Sequence, residues 1–192
     1  MVRRVPNQIH TTLRMAEEFA GEEMQSCKYL KRTASNYVHI GSTIKEEKKF
    51  SHGNPQGRQC VISVDGAWKR VKKKTSNAAG IGWITKEGEE VVFSGNDIVK
   101  ANSALQFEGL AVMKSLTEAH KRRKENVKIL TDSKSLINSL NKNSSPLQLF
   151  NICQDIRKCC EYLVSCEIVK VDRIIVQGSH DLAVKARQDI IL

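Results

Sequence analysis

A chain of 192 residues, 40% of them hydrophobic, is long enough for one domain of ordinary size plus an extension. Its formal charge of +10 and pI near 9.4 favour a polyanionic partner, because clustered Lys and Arg release counterions from phosphate backbones. No apolar run approaches the roughly 20 residues of a membrane span, and no amphipathic anchor stands out, so a membrane partner is not expected.

In chain order, residues 8–34 carry Ile9, Leu13, Ala16, Ala20 and Met24 near helical spacing, a thin stripe interrupted by Gly21 that is not expected to fold alone. Residues 41–58 mix charges with Gly, Pro, Ser and Asn, as a flexible linker does. These features place an N-terminal extension, partly helical or disordered, at 1–58 and the folded domain at 59–192. The basic excess follows the domain: residues 1–57 hold nine Lys/Arg against six Glu, and 58–192 hold twenty-two against fifteen acids.

Strand signals then run from Cys60 to Val64, Gly80 to Thr85 and Glu90 to Ile98, with Lys86-Glu87-Gly88 as a tight connection, which predicts a three-stranded antiparallel meander. Residues 103–122 form the strongest helical pattern, with Phe107, Leu110, Ala111 and Leu116 along one stripe. A short strand, Val127 to Leu130, precedes a helix opened by Asp132 and Ser133 and reaching Leu140. Pro146 starts another helix to about Leu163, Cys166 to Val171 reads as a fifth strand, and a last helix spans His180 to Asp189. Hairpin strands followed by strands alternating with helices imply an α/β domain with a mixed sheet.

Six cysteines lack a CxxC pair, and no secretory signal precedes them. Reduced thiols in an intracellular compartment, nucleus or cytoplasm, are expected, and the spacing of Cys153, Cys159, Cys160 and Cys166 does not suit zinc. Glu17, Glu18, Glu22 and Glu23 argue against an import sequence.

Three acids stand at element ends or on a helix face. Asp65-Gly66 is a common turn dipeptide, yet the connection to Ala79 is far longer than a hairpin needs, so Asp65 reads as the end of a central strand. Glu108 precedes Ala111 and Val112 on an otherwise apolar face, where most helix glutamates face water. Asp132 has an alternative as the N-cap of its own helix. Converging, the three carboxylates would make a hard, oxygen-rich site for Mg²⁺ or Mn²⁺ and phosphodiester chemistry. Lys69-Arg70 and Lys72-Lys73-Lys74 follow Asp65 and are candidates for phosphate contacts. Lys121 to Lys124 have the alternative of complementing a helix C-terminus.

The ordered set VISVDGAW, AAGIGWI, Ser103 with Phe107-Glu108-Gly109-Leu110-Ala111, ILTDSKSLI, and VKVDRIIV with Leu182-Ala183 resembles the ribonuclease H domain family. It is most similar to the reverse-transcriptase-like domains abundant in plant genomes and derived from retroelements, over about residues 59–187. The resemblance implies a ribonuclease H-like fold: a five-stranded mixed sheet, first three strands antiparallel, with helices on both faces. It also implies an endonuclease that cuts the RNA strand of RNA–DNA hybrids with two Mg²⁺ ions, Mn²⁺ being an alternative, and that binds without sequence preference.

Asp65, Glu108 and Asp132 match the first three of the family's four acids, with Asp65 as the expected bridging ligand. Gly66, Ser103, Lys69, Arg70 and Lys72 are the expected substrate contacts, and a monomer is expected. At the fourth position the sequence departs: the family's Asn falls on Val176 and its Asp on His180, with Asp181 one place later. One residue turns a helical side chain by about 100°, so either His180 or Asp181 takes that role. The departure supports an alternative, a catalytically weak or inactive nucleic-acid-binding module of retroelement origin. A transferase using Glu167, thirty-five residues after Asp132, leaves Glu108 unexplained, and a proofreading exonuclease would need an acid where Ala67 stands.

Overall fold

The computed structural model describes residues 49–55, 57–68, 78–142 and 145–188. A six-stranded sheet is formed by β1 (Lys49–Gly53), β2 (Cys60–Ala67), β3 (Ala78–Glu87), β4 (Glu90–Lys100), β5 (Asn126–Thr131) and β6 (Ser165–Lys170), in the order β1-β6-β5-β2-β3-β4. The helices are α1 (Ala104–Lys121), α2 (Lys134–Asn141), α3 (Leu147–Glu161) and α4 (Gln177–Gln188), with a 3₁₀ turn at Arg173–Val176.

β2, β3 and β4 are antiparallel neighbours, as the meander pattern predicts, while β2, β5 and β6 run parallel. The parallel strands need crossovers, and α1 and the α2–α3 pair supply them. The expected five strands are therefore six. Lys49–Gly53, read as linker, pairs antiparallel with β6, Phe50 packs against the core, and Lys49 reaches Glu167 at 3.3 Å. Five residues with one apolar member give a weak strand pattern, and the pairing satisfies the edge of β6 that would otherwise stand open. The expected helix at residues 8–34 lies outside the described residues.

Two layers cover the sheet. On one face Ile62, Val64, Ile129 and Ile168 pack with Ala111, Val112 and Leu116 of α1 and with Leu149, Cys153 and Ile156 of α3, all buried. On the other face α4 lies close against β3. A Cβ on Gly80 would overlap the Ala183 carbonyl, and one on Gly82 would overlap the Ser179 carbonyl. The two glycines of the GIG segment thus bring the α4 backbone onto the strand. Ser179 fixes the register of this contact: its hydroxyl donates to the Ser63 carbonyl at 2.8 Å and lies 2.7 Å from the Ser63 hydroxyl. α4 begins three residues before the expected His180, because the 3₁₀ turn leads directly into it.

Candidate metal centre and its surroundings

β2 delivers Asp65 near the end of the central strand, where strand alternation turns it to the same side as Ser63. The side chain is 1% exposed. The Gly66 N–H donates to its Oδ1 at 2.7 Å, and a side chain at Gly66 would press on Phe107. Glu108 comes from the first turns of α1, whose N-cap is Ser103, with Oγ accepting from the Gln106 N–H at 3.3 Å. Asp132 follows β5. Its alternative role as N-cap belongs instead to Ser133, which accepts from the Leu136 N–H. Thr131 Oγ1 accepts from the Ser133 N–H at 3.2 Å, and the Asp132 carboxylate is left facing the centre.

Asp65, Glu108 and Asp132 each present an oxygen within 4.8 Å of the others. Among the described residues no other group of His, Cys, Asp or Glu converges in this way. Such proximity is costly in the absence of a cation. Burial, followed by repulsion from Asp65 and then Asp132, pushes the Glu108 carboxyl up to about 9. Burial and then Asp132 also raise Asp65, against the lowering effects of the Gly66 N–H, His180 and Arg173. Glu108 Oε2 is buried with no hydrogen-bond partner, although buried polar atoms are ordinarily paired. Three oxygen donors, one of them orphaned, fit a hard divalent cation, which would satisfy that oxygen and relieve the repulsion.

The fourth position belongs to His180, not Asp181. His180 Nδ1 is 2.7 Å from Asp65 Oδ2. Asp181 is turned away, exposed, and accepts from Gln177 Nε2 at 2.9 Å. The one-residue offset on α4 therefore removes Asp181 from the carboxylate group. With Asp65 ionised, the short contact puts a proton on Nδ1, so the 3.2 Å approach of Arg173 Nη2 to the same nitrogen is a contact of two donors rather than a hydrogen bond.

Arg173 is a site residue that motif reasoning missed. Its Nη1 donates to Asp132 Oδ2 at 3.2 Å, and its Nη2 lies 3.9 Å from Asp65 Oδ2. The family resemblance aligns Arg173 with an arginine of related domains, ahead of the positions held here by Val176 and His180, but Arg173 was not among the expected site residues. Lys69, Arg70 and Lys72 to Lys74 lie outside the described residues. Lys121 and Arg122 contact Glu118, Arg122 also covers Phe93, and Lys124 pairs with Glu87, so three members of this basic run are engaged within the fold. None of the helices among the described residues is long and apolar enough to cross a membrane.

The family described as reverse transcriptase-like matches residues 63–186. No curated protein matches the chain. Among solved structures, ribonuclease H1 from the halophilic archaeon Halobacterium salinarum is 20% identical, with a TM-score of 0.61 over 68% of this chain and 98% of that one. The N-terminal ribonuclease H domain of a Mycobacterium tuberculosis protein is 16% identical, with a TM-score of 0.57 over 69% and 96%. The compost-derived LC11 ribonuclease H1, solved in complex with an RNA/DNA hybrid, is 14% identical, with a TM-score of 0.59 over 69% and 99%. With the mixed sheet and the order of its acids, the match over residues 63–186 means that the chain belongs to the reverse transcriptase-like family of ribonuclease H-type domains.

Proposed function

We propose that this protein is a divalent-metal-dependent endonuclease that hydrolyses the RNA strand of RNA–DNA hybrids. The observation that carries the reading is the convergence of Asp65, Glu108 and Asp132 from three separate elements, with a buried Glu108 oxygen lacking any protein partner. Such a group has no structural purpose that a neutral set would not serve better, since like charges at this separation cost stability.

Asp65, Glu108 and Asp132 would hold Mg²⁺ or Mn²⁺, with Asp65 as the buried member of a two-ion arrangement. Ions held there would activate a water and stabilise the negative charge developing on the phosphodiester. The chain's own groups supply the rest. The Gly66 N–H and the His180 Nδ1–H fix the two oxygens of Asp65 in orientation, and Ser179, bonded to Ser63, holds His180 against the strand end. Gly66, packed against Phe107 beside Glu108, and Ser103, the N-cap of α1, would contact the cut strand, with Glu108 reading its 2′-hydroxyl. The backbone and shape of an A-like duplex would give binding without sequence preference. A nuclear or cytoplasmic setting suits buried free thiols such as Cys160 and Cys166.

Cleavage of a labelled hybrid in Mg²⁺ and separately in Mn²⁺ tests the reading. Cutting of the RNA strand alone, lost in Asp65→Asn, supports it. A second reading, a binding module that no longer cuts, is favoured by His180 standing at the family's fourth carboxylate position, with Arg173 beside it on Asp132. Tight hybrid binding without cutting by the wild type, and cutting gained in His180→Asp, would decide for that alternative.

A further inference from the structure

Arg173 stands in the first position of the 3₁₀ turn between β6 and α4. Its guanidinium bonds to Asp132 at 3.2 Å and lies 3.9 Å from Asp65, yet its side chain remains 58% exposed. The α4 side of the carboxylate group is thus covered by a permanent positive charge on a side chain more than half exposed, which can swing away into solvent. Arginine keeps its charge throughout the accessible pH range, and its planar fork binds phosphate as well as carboxylate. A divalent ion on Asp65 and Asp132 would stand within a few ångströms of that charge, so cation and guanidinium oppose each other.

We propose that Arg173 is a tethered competitor of the metal: in the free protein it occupies Asp65 and Asp132, and a phosphodiester of the bound polynucleotide draws it away and so admits the ion. Metal loading is thereby coupled to polynucleotide binding, and by linkage each tightens the other by the same factor. Arg173 is a positioning residue in this scheme. The inference rests on the reading of the three carboxylates as a metal site.

The test is titration with Mn²⁺ alone, followed by the electron paramagnetic resonance of the free ion, on the full chain and without any cleavage. Wild type, Arg173→Ala, Arg173→Lys, Glu108→Gln and the distant control Arg58→Ala are compared. Each titration is repeated with a hybrid whose RNA strand is 2′-O-methylated and resists hydrolysis. Arg173→Ala is expected to bind Mn²⁺ about tenfold more tightly without nucleic acid, the size of effect expected for one screened charge at this range. Its gain in Mn²⁺ affinity on adding hybrid should fall correspondingly, Arg173→Lys should lie between, and Arg58→Ala should match wild type. Equal or weaker Mn²⁺ binding by Arg173→Ala, in protein whose thermal unfolding is intact, would overturn the proposal alone. Mn²⁺ binding that Glu108→Gln leaves unchanged would overturn the metal-site reading beneath it, and the proposal with it.

Discussion

Glu108→Gln should make the metal-free protein more stable and the metal-bound protein less so. In the fold the Glu108 carboxyl is pushed up to about 9 by burial and by its two acidic neighbours, from an ordinary value of 4.5. At pH 7.5 an unfolded Glu108 is ionised, and folding must either protonate it or bury its charge. Three units at about 1.36 kcal/mol each set an upper bound near 4 kcal/mol on that cost. Water reaching the site and local relaxation reduce it, so the isosteric, neutral Gln should gain about 1 to 4 kcal/mol. For a domain of this size that is a rise in Tm of at least about 2 to 3 °C.

The sign with pH follows from the raised value. Below pH 4.5 both states carry the proton and the penalty vanishes. Between 4.5 and about 9 the unfolded state has lost its proton while the fold retains it, so wild-type stability falls as pH rises. The assay is thermal unfolding of both proteins in chelator across pH 5 to 9, repeated in saturating Mn²⁺. The gap in favour of Glu108→Gln should widen with pH in chelator. It should reverse in Mn²⁺ at about 1,000 times its Kd, since that adds about 4.1 kcal/mol to the protein that binds it, enough to offset even the upper bound. A destabilised Glu108→Gln in chelator, or a gap that ignores pH, would refute the argument.

Other substitutions probe the supports of the site. Asp65→Asn should lower hybrid cleavage by roughly 10³-fold, the size expected when several kcal/mol of charge stabilisation are lost, while leaving the far-ultraviolet circular dichroism unchanged. Gly82→Ala drives a methyl into the Ser179 carbonyl and should cost about 1–3 kcal/mol by overpacking, measured by urea unfolding, with the loss of cleavage exceeding that of a surface variant of equal stability. Ser133→Ala removes the α2 cap and should cost about 1 kcal/mol with cleavage within a few-fold of wild type; a large loss of activity would mean that the cap also positions Asp132. Deleting residues 1–58 strips β1 from β6, so that form should melt lower and aggregate more readily than one beginning at residue 48.

Much of the fold was legible because each strong element carries its own period. The alternation around Val64 and Trp83, the apolar stripe of α1 through Phe107, Ala111 and Leu116, and the turn chemistry at Gly88 predict elements that the structure contains within a few residues. β1 was not legible, since five residues with one buried apolar contact differ little from a linker; only the open edge of β6 makes them a strand. The same holds for Ser133, since Asp132 is as good an N-cap by type, and only the geometry after β5 assigns the cap to its neighbour.

The sequence by itself determined that Asp65 and Asp132 stand at the C-terminal ends of two strands and Glu108 near the start of a helix, because period and element order fix which end of a strand or helix a residue occupies. What only the tertiary structure decided is the other half of the site. Whether His180 or Asp181 faces Asp65 depends on a 100° rotation of α4, and that rotation is set by two glycines of β3 and by Ser179 on Ser63, contacts distant in sequence. The role of Arg173 was decided the same way: the resemblance marks the position, but a turn residue 41 positions from Asp132 becomes its partner only when β5 and β6 lie side by side.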